Sequence, residues 1–591
     1  MKPHVVTAEL LAVARGDAPA DVVLTNARIV NVFTCEIEEG SVAILGGRIA
    51  GVGGRGDYTR AREVIDLKGA FVGPGFIDAH MHVESTMLPP REFVRLAVPH
   101  GTTGAVFDPH EIANVLGIAG IKWLMEDAVG GGVPFRAMWA VSSCVPSSGL
   151  ETSGAMLEAA DLAELMDDER VVALAEMMNF PGVVGADARV LAKVNLGLAK
   201  RIVDGHAPGL TGMGLRAYAA AGITSDHEST TAAEAMEKLR LGMRVLIREG
   251  SAARNLEAIL PAVTDANAHM FSFCTDDRHP ADLHAEGHID HVVRRAIALG
   301  MEPCRAIAMG SVYTARHYGK RDLGAIAPGY RADLVVFEEL REVRARDVMF
   351  DGRWVVRGGV IGHEHMAHGY MAHQKKAPPV SAVKLPSGLG AGSFRVPVKK
   401  PGAKIRVIEM RPGQIVTGER VMEPRVEAGA IVADAARDVV KLAVIERHKG
   451  AGNIGIGFVT GFGLKYGAIA STVGHDSHNL AVLGVSDADM LVAARTLAAC
   501  GGGQCAVRDG KVLAVLELPI AGLMSDRPAM EVIAAQRVLL DATHGLGGLG
   551  CPMDDPFMPL SFMCLPVIPK LKVTDMGLVD VEKFAVVDLE V

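Results

Sequence analysis

The chain has 591 residues, 49% hydrophobic and 22% charged, which is ordinary globular usage and excludes disordered, collagen-like and coiled-coil classes. Its 60 basic and 69 acidic side chains leave a net charge of −9, and with no basic run there is no electrostatic footprint for nucleic acid. Glu9 and Arg15 fall where a secretory signal needs an unbroken apolar stretch, and no 18-residue apolar run occurs, so no membrane partner is expected. The eight cysteines, at 35, 144, 274, 304, 500, 505, 551 and 564, form no C-x-x-C pair, which suits reduced thiols and a cytoplasmic setting. At roughly 150 residues per domain the length allows about four domains, or fewer around one large α/β barrel.

Residues 21–70 carry short β-type runs (DVVLTNARIVNVF, SVAILGGRIAGVG) separated by glycine and acidic turns, the pattern of hairpins. The same style returns in AIAPGYRADLVVF and VMFDGRWVVRGGV, so residues 1–71 and 325–373 are expected to form one small β domain around an insert at 72–324. Within the insert, apolar runs alternate with helix-like segments. Eight strands are expected, starting near Val72, Gly101, Pro134, Val171, Arg201, Gly222, Met243 and His269. That count predicts a TIM-like (β/α)8 barrel, with its active site at the C-terminal ends of the strands. A Pro-, Gly- and Lys-rich stretch at 374–403 reads as a linker, and 404–591, mixing strands with helices, as a separate α+β domain.

The chemistry starts in GPGFIDAHMHVES. His80 and His82 stand at i and i+2, and the strand period of two points both imidazoles to one side. Later strand ends supply Glu176, His206, His227 and Asp276. Any one of these alone reads as a polar loop residue, but six at one barrel mouth predict a metal site. Four histidines and two carboxylates exceed the three protein ligands of one catalytic zinc, so two metals are expected. Glu176 would bridge them, with His80, His82 and Asp276 on one ion and His206 and His227 on the other. Such a pair brings the pKa of bound water toward ~7 and points to hydrolysis by a metal hydroxide, with Asp276 accepting and returning the proton. Oxygen and imidazole ligands favour Mn2+ or Fe2+, with Zn2+ also compatible, and leave Met177 and Met178 as pocket wall.

With these residues in view, the chain resembles the amidohydrolase superfamily, through PGFIDAHMH, the ordered His206, His227 and Asp276, and GAIAPGYRADLVVF. More narrowly it is similar to the bacterial adenine deaminase family in FDPHEIANVLG, EMMNFPGV, DGHAPG, SDHES, CTDDRHP, GFGLKYGAIASTVGHDSHN and PFMPLSFMCLPVIPKLKVTD, nearly the whole chain. The resemblance implies hydrolytic deamination of adenine to hypoxanthine and ammonia in purine salvage, by a homo-oligomer, a dimer by analogy. It also implies an acid that protonates the ring nitrogen. Glu228, next to His227, is the first candidate, and Glu84, two residues past His82, competes with it. Asp108, His110 and Glu111 follow the second strand at the mouth and read either as substrate contacts or as a helix cap and first turn.

Other signals carry less. His82-Val83-Glu84 matches half of the cysteine-zinc deaminase signature, but Pro303-Cys304 is not followed by its second cysteine. His363, His365, His368 and His373 read as a solvated loop, and GNIGIGFVTGFG lacks the ending of a phosphate loop. The HDSHN stretch at 475–479 is either a hydrogen-bonded turn or a group that caps the barrel mouth or binds something of its own. Two rival functions stand beside the main one: an amidohydrolase acting on another aminated heterocycle or cyclic amide, and a non-catalytic binding module on the same scaffold.

Overall fold

The structure is a computed structural model that describes residues 6–130, 132–251, 253–363, 379, 382–411, 414–544 and 553–591. The two flanks meet in one nine-stranded sheet. Ala20–Asn31, Glu36–Leu45, Arg48–Gly53, Ala61–Asp66 and Phe71–Pro74 come from the N-terminal side, and Leu334–Phe337, Asp347–Phe350, Arg353–Arg357 and Val360–Ile361 from beyond the barrel. The join is antiparallel, with Val72 opposite Val336 and Pro74 opposite Leu334.

The run expected as a single barrel strand from Val72 divides at Gly75. Its first part belongs to the flanking sheet and only Phe76–Met81 enters the barrel. The crossing is tight: a Cβ at Gly75 would lie 2.2 Å from Thr103 Oγ1, so a glycine is required there.

The barrel strands are β1 (Phe76–Met81), β2 (Thr102–Phe107), β3 (Arg136–Val141), β4 (Val171–Met177), β5 (Ile202–Gly205), β6 (Ser225–Asp226), β7 (Arg244–Arg248) and β8 (Phe271–Cys274). β1–β5 form one parallel ladder and β6–β8 another. Parallel bridges between Val203 and Ile223 and between Met81 and Asp276 close the ring. β1, β2 and β4 are buried at every position, as parallel strands covered on both faces must be. Ile77, Ala79, Val106, Met138, Ala140, Ala175 and Leu246 come from strands around the ring and pack into one cluster.

The C-terminal domain is built on an eight-stranded sheet. Helix Asp487–Ala499, capped by Ser486, covers one face through Met490, Ala493, Ala494 and Leu497. The opposite face shares a core with Val532 and Leu539 of helix Ala529–Thr543, with Phe557 and Leu560, and with Met87 and Leu88 from the loop after β1. That shared core seats the domain over the barrel mouth. Residues 374–403 were expected as a linker, and their described part differs. Val383, Leu389 and Phe394 pack into the C-terminal core, and Val396–Pro397 pairs with Ile431 and Ala430. Composition hid this because three isolated apolar anchors leave no periodic pattern.

The seven described cysteines are all free thiols; Cys551 lies outside the described residues. His363 is exposed, and His365, His368 and His373 lie outside the described residues. No described helix is long and apolar enough to cross a membrane.

Candidate active site

Every strand-end residue singled out from the sequence lies in one buried cluster. Glu176 stands at its centre. Its Oε1 is 3.3 Å from His82 Nε2 and 3.9 Å from His80 Nε2, and its Oε2 is 2.7 Å from His206 Nδ1 and 3.1 Å from His227 Nε2. One oxygen therefore faces the β1 histidines and the other faces those after β5 and β6. Asp276 Oδ1 closes the first group, 3.1 Å from His82 Nε2 and 3.5 Å from His80 Nε2. Its φ of 57° is left-handed, a conformation Asp tolerates better than most residues, and backbone bonds to His80 and His82 hold it. His82 Nδ1 faces the Asp108 carbonyl at 3.1 Å, which turns Nε2 toward the carboxylates.

This donor set suits a divalent cation. His80 Nε2 and His82 Nε2 face each other at 3.2 Å. Among the described residues, His206 Nε2 and His227 Nε2 are buried without a hydrogen-bond partner, His227 Nε2 being near Glu176 but off hydrogen-bond geometry. Imidazole nitrogens converging on each other and on carboxylates in a buried cluster are a donor set that a metal satisfies. Burial pushes the Glu176 carboxyl up, but His227 and His206 beside it outweigh burial and hold it well below the usual range.

The cluster opens into a narrow cavity at the barrel mouth. On the barrel side it is walled by His82, His110, Glu111, Glu176, Glu228, Arg248 and the Asp276–Asp277 pair, among others. Glu228 is engaged on both oxygens by Arg248: Nη1 contacts Oε1, and Nη2 lies 3.1 Å from Oε2. Arg248 Nη1 also donates to Asp276 Oδ2 at 2.9 Å. Glu84 is not a cavity wall. Its Oε1 accepts the Ile112 N–H at 3.1 Å, so it supports the start of helix His110–Gly130. Burial, with the Glu111 charge adding, raises the Glu84 carboxyl to about 7.

Of Asp108, His110 and Glu111, two reach the cavity. His110 and Glu111 form the first turn of that helix and face the cavity. Asp108 stands behind them, accepting from Ser142 Oγ at 3.1 Å and meeting His110 Nδ1 at 3.2 Å. The 475–479 stretch is both a turn and a cap. His478 N–H donates to the Gly474 carbonyl at 2.7 Å, while His475 and Asp476 reach into the cavity. Ile415, Phe562, Leu565 and Ile568 complete the roof.

Sequence reasoning missed Arg248, Asp277 and the apolar roof. Arg248 carried a signal, an arginine ending the apolar strand β7. Asp277 stood beside Asp276 in CTDD, and its carboxyl, raised by burial and by Asp276, accepts from Ser85 Oγ at 2.5 Å. The roof residues carried none.

Comparison with known proteins agrees with this architecture. The amidohydrolase family model matches residues 71–355, and the adenine deaminase C-terminal domain model matches 414–585. Adenine deaminase of Desulfatibacillum aliphaticivorans is 47% identical over 98% of this chain and 99% of its own length. That of Methanothrix thermoacetophila is 45% identical over 98% and 99%. Among solved structures, the D-hydantoinase of Bacillus sp. AR9 is similar with a TM-score of 0.46 and 16% identity, covering 58% of this chain and 96% of that one. Identity of this order over 98% of the chain, and so across both barrel and C-terminal domain, means that the chain belongs to the adenine deaminase family.

Proposed function

We propose that this protein hydrolyses adenine to hypoxanthine and ammonia, and that His80, His82, Glu176, His206, His227 and Asp276 hold two divalent ions, Mn2+ or Fe2+ with Zn2+ as a further option. The observation that carries the reading is Glu176, with one oxygen toward each histidine pair in a chain of this family. Bound divalent ions supply Lewis acidity and make water acidic enough to act as a nucleophile near neutral pH.

The protein's own groups then have distinct tasks. Asp276 keeps Oδ1 toward the β1 histidines while Arg248 anchors Oδ2, which orients the carboxylate to accept a proton at the reacting centre. His110, held by Asp108, and Glu111 present polar atoms to the heterocycle. Of the two acids expected to serve the ring nitrogen, Glu228 meets the cavity and Glu84 does not, so contact with substrate falls to Glu228. Arg248 contacts both Glu228 oxygens and favours the ionised form, so it sets the cost of placing a proton there and is part of that step. The apolar roof of Ile415, Phe562, Leu565 and Ile568 excludes bulk water. A cytoplasmic setting and a homo-oligomer belong to the same reading, and native mass tests the latter.

The test is the fall in adenine absorbance as hypoxanthine forms, with protein reconstituted with Mn2+, with Zn2+ or with no metal. Metal-dependent turnover of adenine but not of adenosine is expected. No turnover with two ions per chain verified would overturn the adenine reading and direct the search to other aminated heterocycles.

A further inference from the structure

Glu111 belongs to the barrel, yet its partners come from the C-terminal domain. Its Oε1 lies 2.7 Å from His475 Nδ1, and its Oε2 contacts His478 Nε2. The tautomer of His478 follows from its other nitrogen: Nδ1 accepts the Gly474 N–H at 3.2 Å, so in the neutral ring Nε2 carries the hydrogen, and it faces Glu111 in close contact but off hydrogen-bond geometry. His475 is fixed independently, with its N–H on the Ser561 carbonyl at 3.1 Å and its ring stacked on Phe562 at 4.6 Å. The turn that carries both is tied to the barrel as well, through Asn479 Nδ2 on the Thr152 carbonyl at 2.8 Å. Two imidazoles from a domain that supplies none of the strand-end ligands thus converge on one carboxylate in the wall of the cavity.

We propose that His475 and His478 are positioning residues: they aim Glu111 at the heterocycle, so that the site is complete only when the C-terminal domain is docked. This rests on the reading of Glu111 as a substrate contact. A buried carboxylate on the first turn of a helix has several rotamers open to it, and two imidazoles held against its oxygens reduce them to one. The C-terminal domain thereby acts in substrate recognition besides shielding the mouth.

The test compares His478→Leu, which removes the imidazole, with His478→Gln, whose amide N–H stands close to the place of Nε2. Kinetics on adenine, metal content and unfolding midpoint are measured for each. Expected is a KM about tenfold higher in His478→Leu with kcat, metal content and midpoint little changed, and recovery of most of that loss in His478→Gln. Adding His478→Leu to Glu111→Gln should cost nothing further, because the histidine acts through the carboxylate. An unchanged KM, independent effects in the double variant, or a loss of metal that tracks the loss of activity would each overturn the proposal. Amide hydrogen exchange over 474–479 reads the contact without substrate. Faster exchange in Glu111→Leu supports it, and unaltered exchange refutes it, even if adenine proves not to be the substrate.

Discussion

Lys238→Met tests how the loops bearing two of the histidines are held. Lys238 lies on helix Ala232–Arg240 and is completely buried. Its ammonium is 2.7 Å from Asp226 Oδ2, 2.8 Å from Glu234 Oε1, and 3.1 Å from both Ser229 Oγ and the Ala207 carbonyl. Asp226 in turn accepts the Ala207 N–H at 2.9 Å. One cation therefore ties residue 207, next to His206, to residues 226 and 229, which flank His227. Methionine keeps the length and loses the charge, leaving two buried carboxylates facing each other. Removing one partner of a buried pair typically costs about 3–5 kcal/mol. The expected result is a loss of that size in urea unfolding, with lower occupancy of the ion proposed for His206 and His227. Adding Asp226→Asn should recover part of the stability, because it removes one stranded charge. A loss below about 1 kcal/mol with both ions retained would refute the reasoning, since surface pairs contribute no more than that.

Glu176→Gln should lose metal occupancy and activity together, and full activity with two ions bound would sink the bridging role. Lys572 is buried with, among the described residues, only the Ile415 and Phe562 carbonyls as acceptors, and burial pushes its amine down to about 7. Between that value and the ordinary lysine range the unfolded chain binds a proton that the folded chain does not. Stability from this group should therefore rise with pH there, by up to about 1.4 kcal/mol per unit, and fall away toward pH 7. Lys572→Met should flatten that slope; identical pH profiles of unfolding for the two proteins would show the residue titrates normally. Phe394→Ala should destabilise the C-terminal domain by about 3–5 kcal/mol, because the ring is fully buried. An unchanged unfolding midpoint would return that segment to the role of a passive connection.

Much of the barrel was legible because its signals are local. His80 and His82 obey the strand period, and each later strand announces itself by a short apolar run ending in a polar residue. The matching hairpins on either side likewise pointed to one shared sheet. The boundary at Gly75 was not legible, because the apolar run continues through it and only the approach of Thr103 marks the crossing. Nor was the division of labour among Asp108, His110 and Glu111, since a capping turn and a substrate wall use the same residue types.

By itself, then, the sequence determined the barrel, its flanking sheet and the five residues that gather around Glu176, since strand periodicity and strand-end position are properties of neighbours in the chain. Tertiary structure alone decided that Arg248 occupies both oxygens of Glu228, that Phe394 anchors the supposed linker, and that His475 and His478 meet Glu111 across more than 360 residues of chain. These contacts arise where separately formed surfaces dock, and docking depends on the shape and burial of whole faces, which no short stretch of residues encodes.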